Sequence, residues 1–356
     1  MIEKSLILHA TATADALARL RFYLPYICDQ VLGLTIVSET EIRYTCKDAD
    51  SVPHIESIAQ ALLDDAPDTK FSDSLPMRPV FDNRDAPCLC KHDLLPELLE
   101  GDHLISFGPG QYGMGHLFLK TFKYFERECY RMALKQSPEE FVYPNLIPRK
   151  LMQHPDYGID QAPTWFVPGT QSPEHLGKPA VCLHCYPHFS KRTLPGDTTI
   201  TTQGRCYRYE GSDRFSPDRL WEFIMRETVF MGTPVFVRNS LKEIETLTVE
   251  WMQSLGVRAW VQEADDPLSD SASTALRKVP LKWELRMALP ASGASLAAAS
   301  FNYHADRYSK PFEISEGGNT AATGCAGFGI ERLTWGFLAQ NGLDTKHWPE
   351  SVRKEI

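Results

Sequence analysis

No apolar run in this 356-residue chain approaches the ~20 residues that a membrane helix needs. The start, MIEKSLILHATATAD, lacks a cationic stretch followed by a long apolar core and a cleavage site. Both absences predict a soluble cytoplasmic protein. The chain has no GxxxxGK(S/T) phosphate loop and no GxGxxG opening an early βαβ unit, which excludes two common nucleotide-binding fingerprints. Internal repeats and low-complexity tracts are missing too. Basic charge is in short supply: 37 Lys plus Arg stand against 46 Asp plus Glu, a formal charge of −9. A large nucleic-acid surface normally needs the opposite balance. What is present is a core, since 43% hydrophobic and 11% aromatic residues exclude disorder, and the length suits two domains. Nine cysteines, an odd number, in a cytoplasmic chain point to thiols or metal ligands rather than to a disulfide framework.

The acidity is uneven. Residues 1–90 hold 8 Lys plus Arg against 14 Asp plus Glu, so −6 of the −9 sits in the first quarter. Helix-like 12–24, strand-like VLGLTIV and EIRYTC, and helix-like 55–63 predict a small acidic α/β domain over residues 1–88. An Asp- and Pro-rich linker is expected at 67–87. In the remainder, 89–356, GPGQYGMG precedes a helix whose apolar residues Phe118, Phe122, Phe125, Cys129 and Met132 share one face. Cys129 therefore reads as a core residue. FVYPNLIP reads as a short proline-bearing strand at an edge or interface. Ser240 and Glu243 form a capping-box pattern for a helix ending at Gly256, and VRAWVQ and LKWELRMAL read as strands around the polar loop DDPLSDSAS.

Two stretches carry chemistry. In GRCYRYEGSDRFSPDRLWEFIMRETVFMG, Arg208 and Glu210 fall on one strand face because side chains alternate. A loop with Asp213, Arg214, Asp218 and Arg219 follows, then a strand with Glu222 and Glu227. Such a hairpin can hold a guanidinium on a phosphate while its loop covers a nucleotide. Near the carboxyl end, GCAGFGIERLTWGF combines Gly324, Gly327 and Gly329 with Glu331 and Arg332, where backbone can approach a base or phosphate closely. Alone, Arg-x-Glu is also the pattern of a solvated ion pair, and Gly-rich corners are common.

Their order and spacing, together with the helix and proline-bearing strand at 115–148, resemble the three motifs of class II aminoacyl-tRNA synthetases of the seryl type. More narrowly, DLLPELLEGDHLISFGPGQYG, RLWEFIMRETVFMG, ADDPL, LKWEL, SFNYH and GCAGFGIERL resemble the amino acid:carrier protein ligases, truncated homologues of the methanogen-type seryl-tRNA synthetase core. The resemblance implies an α+β fold with an antiparallel sheet flanked by helices, and a homodimer. It implies activation of a small amino acid, glycine or alanine, by ATP, and its transfer to the phosphopantetheine thiol of a carrier protein. A zinc ion held by two cysteines and a glutamate is also implied. Cys325 and Glu227 match two ligands, and either Cys182 or Cys185 of VCLHCYP supplies the third, with His184 as a packed neighbour. Arg208 would meet the α-phosphate and substrate carboxylate, Glu210 the adenine amino group and Arg332 the γ-phosphate. Mg2+ would bridge the phosphates near Glu284 and Asn302, although LAAASFN lacks the glutamate that seryl enzymes carry there. Cys88, Cys90 and His92 read as incidental, and Cys206 as a packed thiol.

Transfer to tRNA and a non-catalytic nucleotide-binding paralogue are the competing readings. A tRNA-binding arm should be basic where residues 1–90 are acidic, which favours a protein acceptor. An acidic carrier protein is expected to dock around Arg127, Arg131, Lys135, Arg149 and Lys150.

Overall fold

The computed structural model describes residues 1–8, 10–64, 81–152, 175–208, 216–264 and 281–356. The first segment runs β1 (Ile2–Ile7), α1 (Ala14–Ile27), β2 (Val31–Ser38), β3 (Glu41–Cys46) and α2 (Val52–Leu63). Its strands form a sheet in the order β1-β3-β2, both pairings antiparallel. Thr13 caps α1, its hydroxyl accepting from the Ala16 N–H at 3.2 Å. Strand β1 lies in a stretch that the sequence left unassigned, because an exposed strand half made of Glu, Lys and Ser carries little apolar alternation.

Helix α3 (Leu95–Glu100) leads into the hairpin β4 (Leu104–Gly108)–β5 (Gln111–Met114) and α4 (His116–Leu134). Gly110 turns the hairpin at φ +65°, and a Cβ there would lie 2.5 Å from the Trp221 ring. Then come β6 (Glu139–Phe141), β7 (Leu146–Pro148), α5 (Arg149–Met152), β8 (His175–Gly177), α6 (Cys185–His188), β9 (Thr198–Tyr207), β10 (Glu222–Gly232), α7 (Pro234–Leu255), β11 (Ala259–Glu263) and β12 (Lys282–Leu289). The chain closes with β13 (Ala294–Ala305), β14 (Ser315–Glu316), β15 (Asn319–Thr320), β16 (Ala322–Gly329), α8 (Ile330–Asn341) and α9 (Glu350–Arg353). The main sheet has the order β11-β12-β13-β16-β10-β9-β6 and is antiparallel except where β6 lies parallel to β9. This is the expected α+β architecture.

Three sequence expectations change. Ser240 caps nothing: α7 begins at Pro234, and the Thr233 hydroxyl accepts from the Phe236 N–H at 3.2 Å. A proline with preset φ in the first turn, one residue after a capping threonine, starts the helix earlier than the capping box inside it. FVYPNLIP splits into parts of two sheets, since neither Pro144 nor Pro148 can donate to a ladder. The expected linker falls on residues outside the described ones except at its end. There, Phe81 is buried, Asn83 Nδ2 donates to the Val257 carbonyl and Asp82 bridges Trp260 at the β11 edge.

Residues 1–64 share one apolar core with the rest. Leu20, Ile42 and Ile58 belong to the same buried cluster as Phe118, Val237, Phe301 and Trp348. Polar contacts reinforce the join. Buried Arg238 of α7 donates from Nη1 to the carbonyls of Pro25, Cys28 and Val31, and Tyr303 Oη of β13 donates to the Phe22 carbonyl at 2.7 Å. Tyr26 stacks on Tyr303 with centroids 4.1 Å apart.

Candidate active site

One face of the main sheet presents a row of chemistry-bearing residues because alternate side chains point the same way. Register sets Cys325 opposite Asn302 and Asn302 opposite Lys282; Glu227 stands opposite Gly327, Gly327 opposite Ser300, and Ser300 opposite Glu284. With Arg208, Arg332, Cys182, His304 and Tyr308 they line a cavity of about 120 Å³. The opposite face of the same strands carries Phe301, Tyr303 and Phe328 into the core. Gly324 is needed there: a Cβ would meet Val237 of α7 at 2.6 Å.

Ligand atoms of Cys182, Glu227 and Cys325 lie within 4.8 Å of one another, all buried. Cys182 arrives on a 3-10 turn, Val181–His184, whose Val181 N–H donates to Glu227 Oε1 at 3.2 Å. Glu227 Oε2 is buried with no hydrogen-bond partner. Burial pushes the Glu227 carboxyl up. The Cys182 thiol is pushed well up, first by its hydrogen bond to Cys325 and then by burial. That bond holds Cys325 down, but burial and the charge of Glu227 outweigh it. Two thiols and a carboxylate with an orphaned oxygen are a donor set that a zinc ion fits, displacing the thiol protons. Cys185 lies outside the group. It is buried against Tyr143, and its thiol is pushed up by burial. His184 stacks on the Tyr143 ring at 5.8 Å, and burial brings it down to about 4. Among the described residues no other group of this kind occurs, Cys88, Cys90 and His92 included.

Arg208 follows β9, its Nε donating to the Pro179 carbonyl at 3.0 Å and its guanidinium lying 5.2 Å from the Phe223 ring centroid. Arg332, in the first turn of α8, donates to the carbonyls of Asp218 and Ala297. The Asp218–Arg219 loop is thus tied to Arg332 by the Asp218 carbonyl. Glu210, Asp213, Arg214 and the DDPLSDSAS loop lie outside the described residues. Glu284 is gripped by Lys282 at 3.0 Å and Arg286 at 3.2 Å, and Asn302 Nδ2 is spent on Ser300 and Cys325. Both residues line the cavity together with Arg208 and Arg332.

Several residues here escaped the sequence reading. Lys178 is fully buried, its ammonium 3.4 Å from the Tyr143 carbonyl and brought down by burial. His304 Nε2 stands 3.8 Å from Cys325 Sγ, and burial keeps the ring neutral, at about 3. Period-two counting from Asn302 along SFNYH would have found His304. On the basic face expected to dock a carrier protein, Arg127 and Arg131 both bind Glu355, and Arg131 also binds Glu128.

No protein-family model matches the chain. A type-2 serine–tRNA ligase of Methanococcus aeolicus is 27% identical over 296 residues, 70% of this chain and 56% of that protein. Amino acid–acyl-carrier-protein ligase 1 of Bradyrhizobium diazoefficiens is 32% identical over 182 residues, 49% of this chain and 55% of that protein. The chain thus spans little more than half the length of these curated relatives. Among solved structures, M. kandleri SerRS in complex with A. aeolicus tRNASec superposes with TM-score 0.67 at 19% identity, covering 99% of this chain and 77% of that one. Cytoplasmic serine–tRNA ligase from Naegleria fowleri in complex with AMP gives 0.64 at 10% identity, covering 85% and 80%.

The fold is that of the class II aminoacyl-tRNA synthetases of the seryl type. Within it the chain is a homologue of methanogen-type serine–tRNA ligases and of an amino acid–acyl-carrier-protein ligase. Among the described residues no helix is long and apolar enough to cross a membrane.

Proposed function

We propose that the protein is a cytoplasmic ligase that activates a small amino acid, glycine or alanine, with ATP and transfers it to the phosphopantetheine thiol of a carrier protein. The observation that carries this reading is the Cys182–Glu227–Cys325 group in one cavity with Arg208 and Arg332. Zinc, when bound, would offer an open position for a neutral α-amino group. Arg208 would orient the substrate carboxylate against the α-phosphate, and Arg332 would neutralise the terminal phosphates, with Glu210 on the adenine. The carboxylate oxygen then bonds to the α-phosphorus as pyrophosphate leaves, a step driven by positioning and charge neutralisation. In the second step the carrier thiol sulfur replaces AMP at the acyl carbon. Mg2+ is expected with ATP, with Glu284 and Asn302, which line the same cavity, as the residues that would hold it.

The carrier-protein acceptor is supported by the Bradyrhizobium relative and by the acidity of residues 1–90. One observation favours the second reading, transfer to tRNA: the likeness to M. kandleri SerRS runs over 99% of the chain, the amino-terminal unit included. The deciding experiment is ATP–pyrophosphate exchange with each amino acid, followed by acyl transfer trials with a phosphopantetheinylated carrier protein and with tRNA. Amino-acid-dependent exchange and thioester on the carrier are expected. Absence of exchange with every amino acid, ATP still being bound, would leave a non-catalytic nucleotide-binding protein.

A further inference from the structure

At the cysteine–glutamate group the cavity wall is aromatic. His304 Nε2 lies 3.8 Å from Cys325 Sγ, and the ring is packed edge-on against Tyr308 at 4.7 Å and Tyr186 at 6.4 Å. Those two tyrosines stack on each other at 4.6 Å and are themselves buried. The wall is braced from behind as well. The β13–β16 register shifts between Tyr303 and Ala305, and Ala305 holds a φ of +52°. A bulge of this kind re-aims a side chain, here that of His304. Tyr303, pointing the other way, is locked to α1 by its hydrogen bond to Phe22 and its stacking on Tyr26. The backbone that carries His304 is therefore held by the join between the amino-terminal unit and the sheet, and the ring itself by Tyr186 and Tyr308.

We propose that His304 is the residue that limits the size of the amino-acid side chain, confining the site to substrates such as glycine, alanine and serine. The inference rests on the amino-acid-activating reading above and deepens it. His304 and Tyr308 line the same cavity of about 120 Å³ as Cys182, Glu227 and Cys325, so a side chain on a substrate held there would share that small space with the ring that already contacts Cys325. A close-packed wall does not dilate, and each methylene it excludes is worth about 10–200-fold in kcat/KM.

The test compares wild type with His304→Ala, and with Tyr308→Ala, which removes the ring behind His304. Thermal melting establishes that each variant is folded. Three quantities are measured: zinc content, exchange with glycine, alanine, serine, valine and leucine, and calorimetric binding of glycyl- and leucyl-sulfamoyl adenosine. Zinc is expected to stay bound, and the leucine-to-glycine ratio is expected to rise at least about tenfold in both exchange and analogue binding. Tyr308→Ala should move the same ratio by less. Unchanged ratios with zinc retained, loss of zinc from His304→Ala, or wild-type exchange as fast with leucine as with glycine would each overturn the inference. Absence of amino-acid-dependent exchange and of analogue binding in wild type would instead overturn the activity on which it rests.

Discussion

Glu227 gives one carboxylate oxygen to the Val181 N–H and leaves the other buried without a partner. A buried polar atom so placed costs about 1–3 kcal/mol unless something fills the gap. With two thiols inside 4.8 Å, the filler indicated is a thiophilic cation. Purified protein is expected to carry about one zinc per chain by plasma mass spectrometry, and Cys182→Ser, Glu227→Gln and Cys325→Ser are expected to lose it. Cys185→Ser should keep it. Sequence could not separate Cys182 from Cys185, because three residues on a 3-10 turn bring both thiols inward; the position of Tyr143, far away in sequence, divides them. Glu331 offers a different test. Both its oxygens accept from the Ile224 N–H at 2.9 Å, and burial pushes the carboxyl up to about 7. A raised folded-state pKa stabilises below the unfolded value near 4.5, and that contribution is lost as pH rises toward 7. Urea denaturation should show stability falling across that window by up to about 3 kcal/mol, at ~1.4 kcal/mol per pKa unit. Glu331→Gln should flatten the slope, and an unchanged slope would refute the assignment.

Helices and strands with a full apolar face were legible: α4 matched its Phe118-to-Met132 stripe, and β3 spans EIRYTC as read. Elements whose existence depends on a neighbour were not. The β1 strand is half exposed and held by pairing with β3, and the true start of α7 was hidden behind a plausible later cap. What the sequence could not show at all is the junction between α1 and α7. Arg238 reaches the Pro25 and Cys28 carbonyls at the carboxyl end of α1, where backbone acceptors lack intrahelical partners, and the Val31 carbonyl at the start of β2. Arg238→Met keeps the packing stem and strands those carbonyls, so a loss of about 1–3 kcal/mol is expected in chemical denaturation. Gly324→Ala, on the strand facing α7, should cost a similar amount, because the added methyl meets Val237 at 2.6 Å and overpacking of this kind costs about 1–3 kcal/mol. If Arg238→Met were as stable as wild type, the amino-terminal unit would be held by apolar contact alone.

On the scale of the whole molecule, unmet apolar surface gathers at one end of the main sheet. Beyond the short β6, which pairs with β9 only as far as Thr202, Phe107 at 73% exposure and Ile105 at 43% share one side of β4, and Leu146 at 46% is paired opposite Gly177, which abuts Tyr207 of β9. The β4–β5 hairpin reaches this end because its tip is seated against Trp221, and a second cavity joins Phe107 to Tyr207, the last residue of β9. Scattered apolar side chains need no explanation, but several at one sheet edge do. Burial against a second copy would remove them from water at about 25 cal/mol per Å², and a self-paired patch gives a closed two-fold dimer. Light scattering should therefore report about twice the 40.3 kDa of one chain. Phe107→Glu places a charge where the patch would meet itself, once from each copy, and should shift the protein toward monomer while circular dichroism stays unchanged. A wild-type monomer at micromolar concentration would dismiss the homodimer. A dimer indifferent to Phe107→Glu would move the interface elsewhere, and the next surface to probe is the outward side of α4, where Glu355 already ties down Arg127 and Arg131.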